Sequence, residues 1–242
     1  MMIYGHRGAS GAAPENTMEA YRVALEQQGA DGVEIDVHYS RDGELVVMHD
    51  FDLSRTTDGS GMIYEKTLME LKKLSAGAHF AGGGFEQARI PTLEEVLEYI
   101  KARGSRINIE LKAGSFFYPH IEEKVISLVH RYGLAERTLL SSFDHCAMQL
   151  AKEIDPEMKT GLLTSCRMVD TAQYVSHVGA DAYNALFAAL TSDVAAQLRE
   201  AGLQMNCYTP NTPKEIAAMA KLGVDILITN YPDVARETVA KL

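Results

Sequence analysis

Eight apolar runs of strand character, each followed by a segment of helical period, in a chain of 242 residues, predict an α/β protein built as a closed (β/α)8 TIM barrel. One exception to the alternation is informative. Asp42-Gly43 between two apolar alternations, VEIDVHY and ELVVMHD, is a hairpin signal, so Leu45 to His49 reads as an antiparallel return rather than a ninth barrel strand. The weakly patterned stretch Phe51 to Arg89 that follows is too long for a simple connection and predicts a small insertion after the second strand region. Residues 1–242 thus read as a single barrel domain with a lid-like segment at about 51–89. A doubly wound open sheet is the alternative, but its glycine-rich dinucleotide fingerprint is missing.

The elements follow in order. Met2 to Gly5 is a short apolar strand ending in the loop His6-Arg7-Gly8, and Pro14-Glu15-Asn16-Thr17 opens a helix whose apolar positions Met18, Tyr21, Val23, Ala24 and Leu25 fit a 3.6 period up to Gly29. The hairpin comes next. A two-residue turn would pair Arg41 with Glu44 and set Asp36 opposite His49, with Cβ atoms roughly 5 Å apart. Within the insertion, 56–61 reads as a polar loop, Leu68 to Leu74 as a short helix and Gly82-Gly83-Gly84 as a break. Thr92 with Glu95 three residues on is a capping box for a helix to Arg103. Strands at Ile107–Leu111, Thr138–Ser142, Thr160–Leu163, Ala182–Ala185, Gln204–Tyr208 and Ile226–Thr229 then alternate with helices at Ile121–Tyr132, Asp144–Ile154, Thr171–His177, Ser192–Ala201, Pro213–Leu222 and Pro232–Lys241.

Composition narrows the function. The formal charge of −10 argues against nucleic acid or an anionic membrane surface as the main partner. Cys146, Cys166 and Cys207 fit neither a disulfide framework nor a zinc motif and read as buried free thiols. No basic, apolar leader opens the chain, and no run of about 18 apolar residues occurs. The expectation is a cytoplasmic protein without an integral membrane segment, as monomer or homodimer.

In such a barrel the chemistry sits at the C-terminal ends of the strands. Those ends carry His6 and Arg7, then Glu34 and Asp36 on one face of the second strand, then Glu110 and Lys112 on one face of the third. A strand covered on both sides does not carry paired acids without a partner, because burying unpaired charge is costly. Three carboxylates with no cysteine or histidine cluster suit a hard divalent cation, Mg²⁺ or Ca²⁺ rather than Zn²⁺. His6 and His49 are the acid–base candidates. His38 is read as facing away from Asp36, and the other five histidines as surface or cap residues.

His6-Arg7-Gly8, Pro14-Glu15-Asn16-Thr17, Glu34-Ile35-Asp36-Val37, Val47-Met48-His49-Asp50, Arg55-Thr56-Thr57 and Ile109-Glu110-Leu111-Lys112 resemble, in order and spacing, the glycerophosphodiester phosphodiesterase family. The resemblance is dense in the N-terminal half and continues to Ile228-Thr229-Asn230-Tyr231-Pro232. It implies a TIM barrel with a small insertion. The implied activity is metal-dependent hydrolysis of glycerophosphodiesters, such as glycerophosphocholine or glycerophosphoethanolamine, to glycerol 3-phosphate and an alcohol. By motif, Glu34, Asp36 and Glu110 would hold the ion (Ca²⁺ or Mg²⁺, with Mn²⁺ a third option), and His6 and His49 would be general acid and base. Arg7 and Lys112 would face the phosphate, and a cyclic phosphate would form and be opened by water. The family's Trp-Thr-Val-Asn pattern is here Tyr208-Thr209-Pro210-Asn211 in a chain without tryptophan. Tyr208 offers a ring and a hydroxyl to the substrate pocket or is packed without a ligand. Phe143 resembles an apolar pocket residue of the family or is plain core. Two other readings fit less well: a barrel that stabilises an enolate with Lys112 as base leaves His6, His49 and Arg7 without work, and one that only binds a phosphorylated ligand needs a missing catalytic group, and none is missing.

Overall fold

The computed structural model describes residues 1–242. The strands are β1 (Met2–His6), β2 (Gly32–Tyr39), β3 (Leu45–Val47), β4 (Arg106–Leu111), β5 (Thr138–Ser142), β6 (Lys159–Thr164), β7 (Ala182–Leu186), β8 (Gln204–Tyr208) and β9 (Ile226–Thr229). All except β3 are parallel to their neighbours, in the order β1-β9-β8-β7-β6-β5-β4-β2, and pairing of β1 with β2 closes the ring. The (β/α)8 barrel read from the sequence is the architecture observed. Helices α1 (Met18–Arg22), α2 (Leu68–Leu71), α3 (Leu93–Arg103), α4 (Ile121–Tyr132), α5 (His145–Ile154), α6 (Thr171–Val178), α7 (Ser192–Glu200), α8 (Pro213–Leu222) and α9 (Pro232–Val239) complete it. α1 is capped by Thr17 and widens into a π turn over Val23–Gln27. The Thr92–Glu95 capping box forms as expected.

Alternation along each strand divides the molecule into two interiors. Odd-numbered Val33, Ile35 and Val37 of β2, with Ile107, Ile109 and Leu111 of β4, join a 45-residue apolar core between sheet and helices. The opposite face fills the barrel with Tyr4, Ile226 and Ile228 and with buried Asn108, Asn184 and Asn206. The segment after the hairpin adds a third cluster, in which Leu53, Ile63, Leu71, Ala76 and Ile90 pack on Val46 and Met48 of the return arm.

The hairpin differs from the expected one by a single residue. Gly43 N donates to Ser40 O (3.0 Å), Ser40 N donates to Glu44 O (2.9 Å), and Gly43 takes a left-handed φ of 78°. The loop is therefore Arg41–Gly43, three residues with the glycine in the position that needs positive φ. The register becomes Val37↔Val47, His38↔Val46 and Tyr39↔Leu45, and Met48 N donates to Asp36 O (3.0 Å). Met48, not His49, faces Asp36, and His49 lies just past it. The antiparallel return itself is present. β1 occupies Gly32–Glu34 of one β2 edge, and β3 occupies Val37–Tyr39 of the same edge. Both strands therefore stop at the same place, which delivers His6 and His49 to one spot from opposite directions.

At the other end of the barrel a motif recurs. Asp31, Asp181 and Asp225 each stand one residue before a strand and two after a left-handed glycine. Their Oδ2 atoms accept from the backbone N–H of Ile3 (2.8 Å), Thr160 (3.0 Å) and Met205 (2.8 Å) on the neighbouring strand. Asp181 also accepts from Lys152 Nζ (3.0 Å) and Lys159 Nζ (2.9 Å). Burial would push its carboxyl up, but Lys159, the Thr160 N–H and Lys152 outweigh it and hold it below the usual carboxylate range. That contribution is present above the unfolded pKa of about 4 and is lost as pH falls through the lower folded value. Asp181→Asn should lower unfolding free energy by about 1–2 kcal/mol at neutral pH in urea titrations, with the gap to wild type narrowing below about pH 4. An undiminished wild-type stability in the variant would refute the role.

Candidate active site

Glu34 and Asp36 of β2 and Glu110 of β4 are buried at the C-terminal mouth of the barrel, and one carboxylate oxygen from each lies within 4.8 Å of the others. β2 and β4 are paired with Asp36 beside Glu110, so sheet register alone forces the acids together. Lys112 Nζ lies 2.6 Å from Glu110 Oε1 and 3.3 Å from Asp36 Oδ1. Arg7 N donates to Glu34 Oε2 (2.8 Å), and its Nε lies 3.5 Å from Asp36 Oδ2. The loop after β1 wraps back so that Asn16 Nδ2 donates to Asp36 Oδ2 (2.7 Å), while Asn16 Oδ1 accepts from Tyr21 Oη (3.1 Å).

The three carboxyls are pushed apart in acidity. Burial and the neighbouring charges of Asp36 and Glu110 raise Glu34 well above the usual range. Burial and Asp36 raise Glu110 in the same way, against the pull of Lys112. Asp36 goes the other way, because Lys112, Arg7 and His49 outweigh its burial. This divergence follows when more negative charge is buried than the nearby cations offset. An all-oxygen donor set suits a hard divalent ion, and Asp36 Oδ1 is buried with the Lys112 ammonium 3.3 Å away but no hydrogen bond formed. The residues present fit such an ion.

His6 and His49 flank the acids. His6 Nδ1 lies 2.8 Å from Asn230 Oδ1, and its Nε2 is 4.0 Å from Glu34 Oε2. Burial and the Arg7 charge lower the His6 pKa to about 4, so it is neutral at pH 7. His49 Nδ1 lies 2.6 Å from Asp50 Oδ1. A carboxylate only accepts, so this nitrogen carries a proton, and the neutral ring is the Nδ1–H tautomer. Burial lowers the His49 pKa too, against the charge of Asp36.

His6, Arg7, Glu34, His49, Asn108 and Glu110 line one side of a cleft of ≈ 300 Å³, and Phe143, Leu163, Leu186, Phe187, Tyr208 and Ile228 line the other. Phe143 is half exposed at the rim rather than core, with its ring edge-on to Tyr208 at 6.2 Å. Tyr208 presents its ring only, because its hydroxyl donates to Thr164 O (2.9 Å).

All nine residues singled out in the sequence meet at this mouth, but several of their partners were not anticipated. His38 shares the even-numbered face of β2 with Glu34 and Asp36. It is fully buried between Tyr118 Oη (2.9 Å from Nδ1) and the carbonyl of His49 (3.2 Å from Nε2); its parity with Asp36 was the available signal. Asn108, two residues before Glu110, is buried in the cleft floor with no partner for either side-chain polar atom. Asn16, Asp50 and Asn230 stood inside the motifs without a role. Two of the three thiols, Cys146 and Cys166, are exposed rather than buried.

Fold and site together define the class, a (β/α)8-barrel hydrolase. The chain belongs to the Glycerophosphoryl diester phosphodiesterase family, whose sequence model matches residues 6–234. A relative from Caldanaerobacter subterraneus subsp. tengcongensis, named glycerophosphodiester phosphodiesterase, is 38% identical over 240 residues, covering 99% of this chain and 98% of that protein. Among solved structures, an Oleispira antarctica phosphodiesterase in complex with the product sn-glycerol-3-phosphate superposes with a TM-score of 0.88 at 32% identity, covering 99% of this chain and 97% of that one. A glycerophosphodiester phosphodiesterase from Agrobacterium tumefaciens gives 0.83 at 31% identity, covering 100% of both chains.

The crowding of the acids predicts ion-dependent stability. Adding Mg²⁺, Ca²⁺ or Mn²⁺ at about 100 times its Kd to chelator-treated protein should raise Tm by roughly 5–10 °C, and Asp36→Asn should abolish the shift. The same Tm with and without all three ions would contradict it.

Proposed function

We propose that the protein hydrolyses glycerophosphodiesters to glycerol 3-phosphate and an alcohol, with a divalent ion, Mg²⁺, Ca²⁺ or Mn²⁺, held by Glu34, Asp36 and Glu110. The observation that carries this reading is the convergence, in one cleft, of the acidic cluster with two imidazoles on either side of it. The product bound by the Oleispira antarctica relative supports the choice of substrate. When bound, the ion would offset negative charge on the phosphoryl oxygens and polarise the phosphorus toward attack.

The chain's own groups supply the rest. Arg7 and Lys112 are anchored on the carboxylates, and we assign their remaining N–H donors to the phosphoryl oxygens, where charge grows in the transition state. One histidine takes the proton of the glycerol hydroxyl beside the phosphate as its oxygen attacks phosphorus. The other protonates the departing alcohol oxygen as the P–O bond breaks. In the second half, water attacks the cyclic phosphate with the two roles exchanged, and the ring opens to glycerol 3-phosphate. The unlike partners of the two rings suit this exchange. His6 lies beside a neutral amide, while the Asp50 carboxylate works on His49 against the lowering that burial imposes.

The apolar wall around Phe143 and Tyr208 is the side on which we place the glycerol carbons. We further infer that 1–242 acts as one catalytic unit with the segment at about 51–89 inserted into it. We assign it to a reducing, cytoplasmic setting, supported by two exposed unpaired thiols. No helix is long and apolar enough to cross a membrane.

Release of glycerol 3-phosphate from glycerophosphocholine, followed with and without chelator, tests the reading. Turnover should require the added ion, and His6→Ala and His49→Ala should each lower kcat by at least about 10²-fold while ion binding persists. No release from any glycerophosphodiester, or near-wild-type turnover in either variant, would overturn it.

A further inference from the structure

Two motifs of the sequence have no part in the chemistry so far: Glu15, in Pro14-Glu15-Asn16-Thr17, and Arg55, in Arg55-Thr56-Thr57. The fold joins them. Glu15 Oε1 accepts from Arg7 Nη1 (2.8 Å) and from Arg55 Nη2 (2.7 Å), and its Oε2 accepts from Arg55 Nη1 (2.9 Å). Arg55 Nε donates to Asp50 Oδ2, and the other oxygen of Asp50 holds the ring of His49 (2.6 Å). An unbroken series of charge-assisted hydrogen bonds, alternating in sign, therefore runs from Arg7 through Glu15, Arg55 and Asp50 to His49.

We propose that Glu15 and Arg55 are positioning residues that fix the tautomer and direction of His49 and couple it to the phosphate-facing Arg7. This rests on the reading above, in which His49 moves a proton and Arg7 faces the substrate.

The need for such a brace comes from where His49 sits. β3 ends at Val47, so His49 lies past the strand. Its carbonyl is held by His38, while its imidazole is held only by Asp50. Asp50 is itself partly exposed and would turn freely without a second partner. Arg55 supplies that partner in a form no other side chain matches. Its planar guanidinium spends two N–H groups on Glu15 and a third on Asp50, fixing the plane of one carboxylate against the other. A lysine offers one point charge and cannot span both.

All three guanidinium nitrogens of Arg55 are committed to Glu15 and Asp50, so it is a brace rather than a phosphate ligand. Glu15 does a second thing. By holding Nη1 of Arg7 it draws that guanidinium away from full pairing with Asp36, whose Oδ2 already lies 3.5 Å from Arg7 Nε. Released, Arg7 would close on the acids and withdraw from substrate. Asp36, Arg7 and Lys112 are the other charged groups that act on His49, and the series reaches the first two of them through Arg7.

The test uses the full chain at saturating Mg²⁺ with glycerophosphocholine, comparing wild type, Glu15→Gln, Arg55→Lys, Asp50→Asn and the double variant Glu15→Gln/Asp50→Asn. The side chain of Arg55 is 48% exposed, so Arg55→Lys should keep a near-wild-type Tm. Its kcat should fall roughly 10- to 100-fold, the scale of groups that orient a reacting residue, with KM within about threefold. Glu15→Gln should lower kcat similarly and also raise KM. The double variant should be no slower than the slower single one, because both changes break the same series. A readout independent of turnover is the imidazole ¹⁵N spectrum. His49 should be a pure Nδ1–H tautomer in wild type and a mixture in all three single variants. Arg55→Lys within twofold of wild type with an unchanged tautomer, or costs that multiply in the double variant, would overturn the proposal. If wild type itself releases no glycerol 3-phosphate, the functional reading fails, and the tautomer alone decides whether Arg55 and Glu15 position His49.

Discussion

Three carboxylates buried within 4.8 Å of one another set the terms for everything at the mouth of this barrel. Such a cluster is intolerable in a low-dielectric interior unless it is compensated. Arg7 and Lys112 supply two positive charges in direct contact, one fewer than the acids. A divalent ion would offset that deficit. Glu15 also draws on the Arg7 charge at 2.8 Å, so the balance of the three acids is linked to the charges that surround them.

The compensation depends on backbone topology as much as on side chains. β1 and β3 share one edge of β2 and run toward each other, so that their ends meet. An ordinary barrel connection would have sent the chain through a helix after β2. The hairpin instead returns it at once, with His49 beside the acids of its own strand. The residues after it pack their apolar side chains on Val46 and Met48 of that return, so the arm that carries His49 is clamped between β2 and the segment that follows it.

Much of this was legible in the sequence, for physical reasons that differ from element to element. The strand–helix alternation is a period signal and survives any detail of packing. Glu34, Asp36, Glu110 and Lys112 were placed together because parity on two strands fixes which residues share a face. The hairpin register was not legible, since Asp-Gly serves a two-residue turn and the tip of a three-residue loop equally well, and a slip of one residue moves His49 past Asp36. The Gly-x-Asp repeat at Asp31, Asp181 and Asp225 was present in the letters, but its meaning lies in a hydrogen bond to the neighbouring strand. Glu15 and Arg55 could not be joined by inspection, because their contact is made by the fold across an intervening helix and hairpin.

The measurement that bears most directly on the central claim is a crystal structure grown with Mn²⁺ and glycerol 3-phosphate, with the ion located by its anomalous signal. Oxygens of Glu34, Asp36 and Glu110 should lie at about 2.0–2.6 Å from the ion. The phosphate should touch both the ion and Arg7 or Lys112, with an Nε2 of His6 and of His49 on opposite sides of it. An ion bound elsewhere, or a phosphate seated away from the two imidazoles, would contradict the assignment of the acidic cluster as the centre of a phosphodiester-cleaving site.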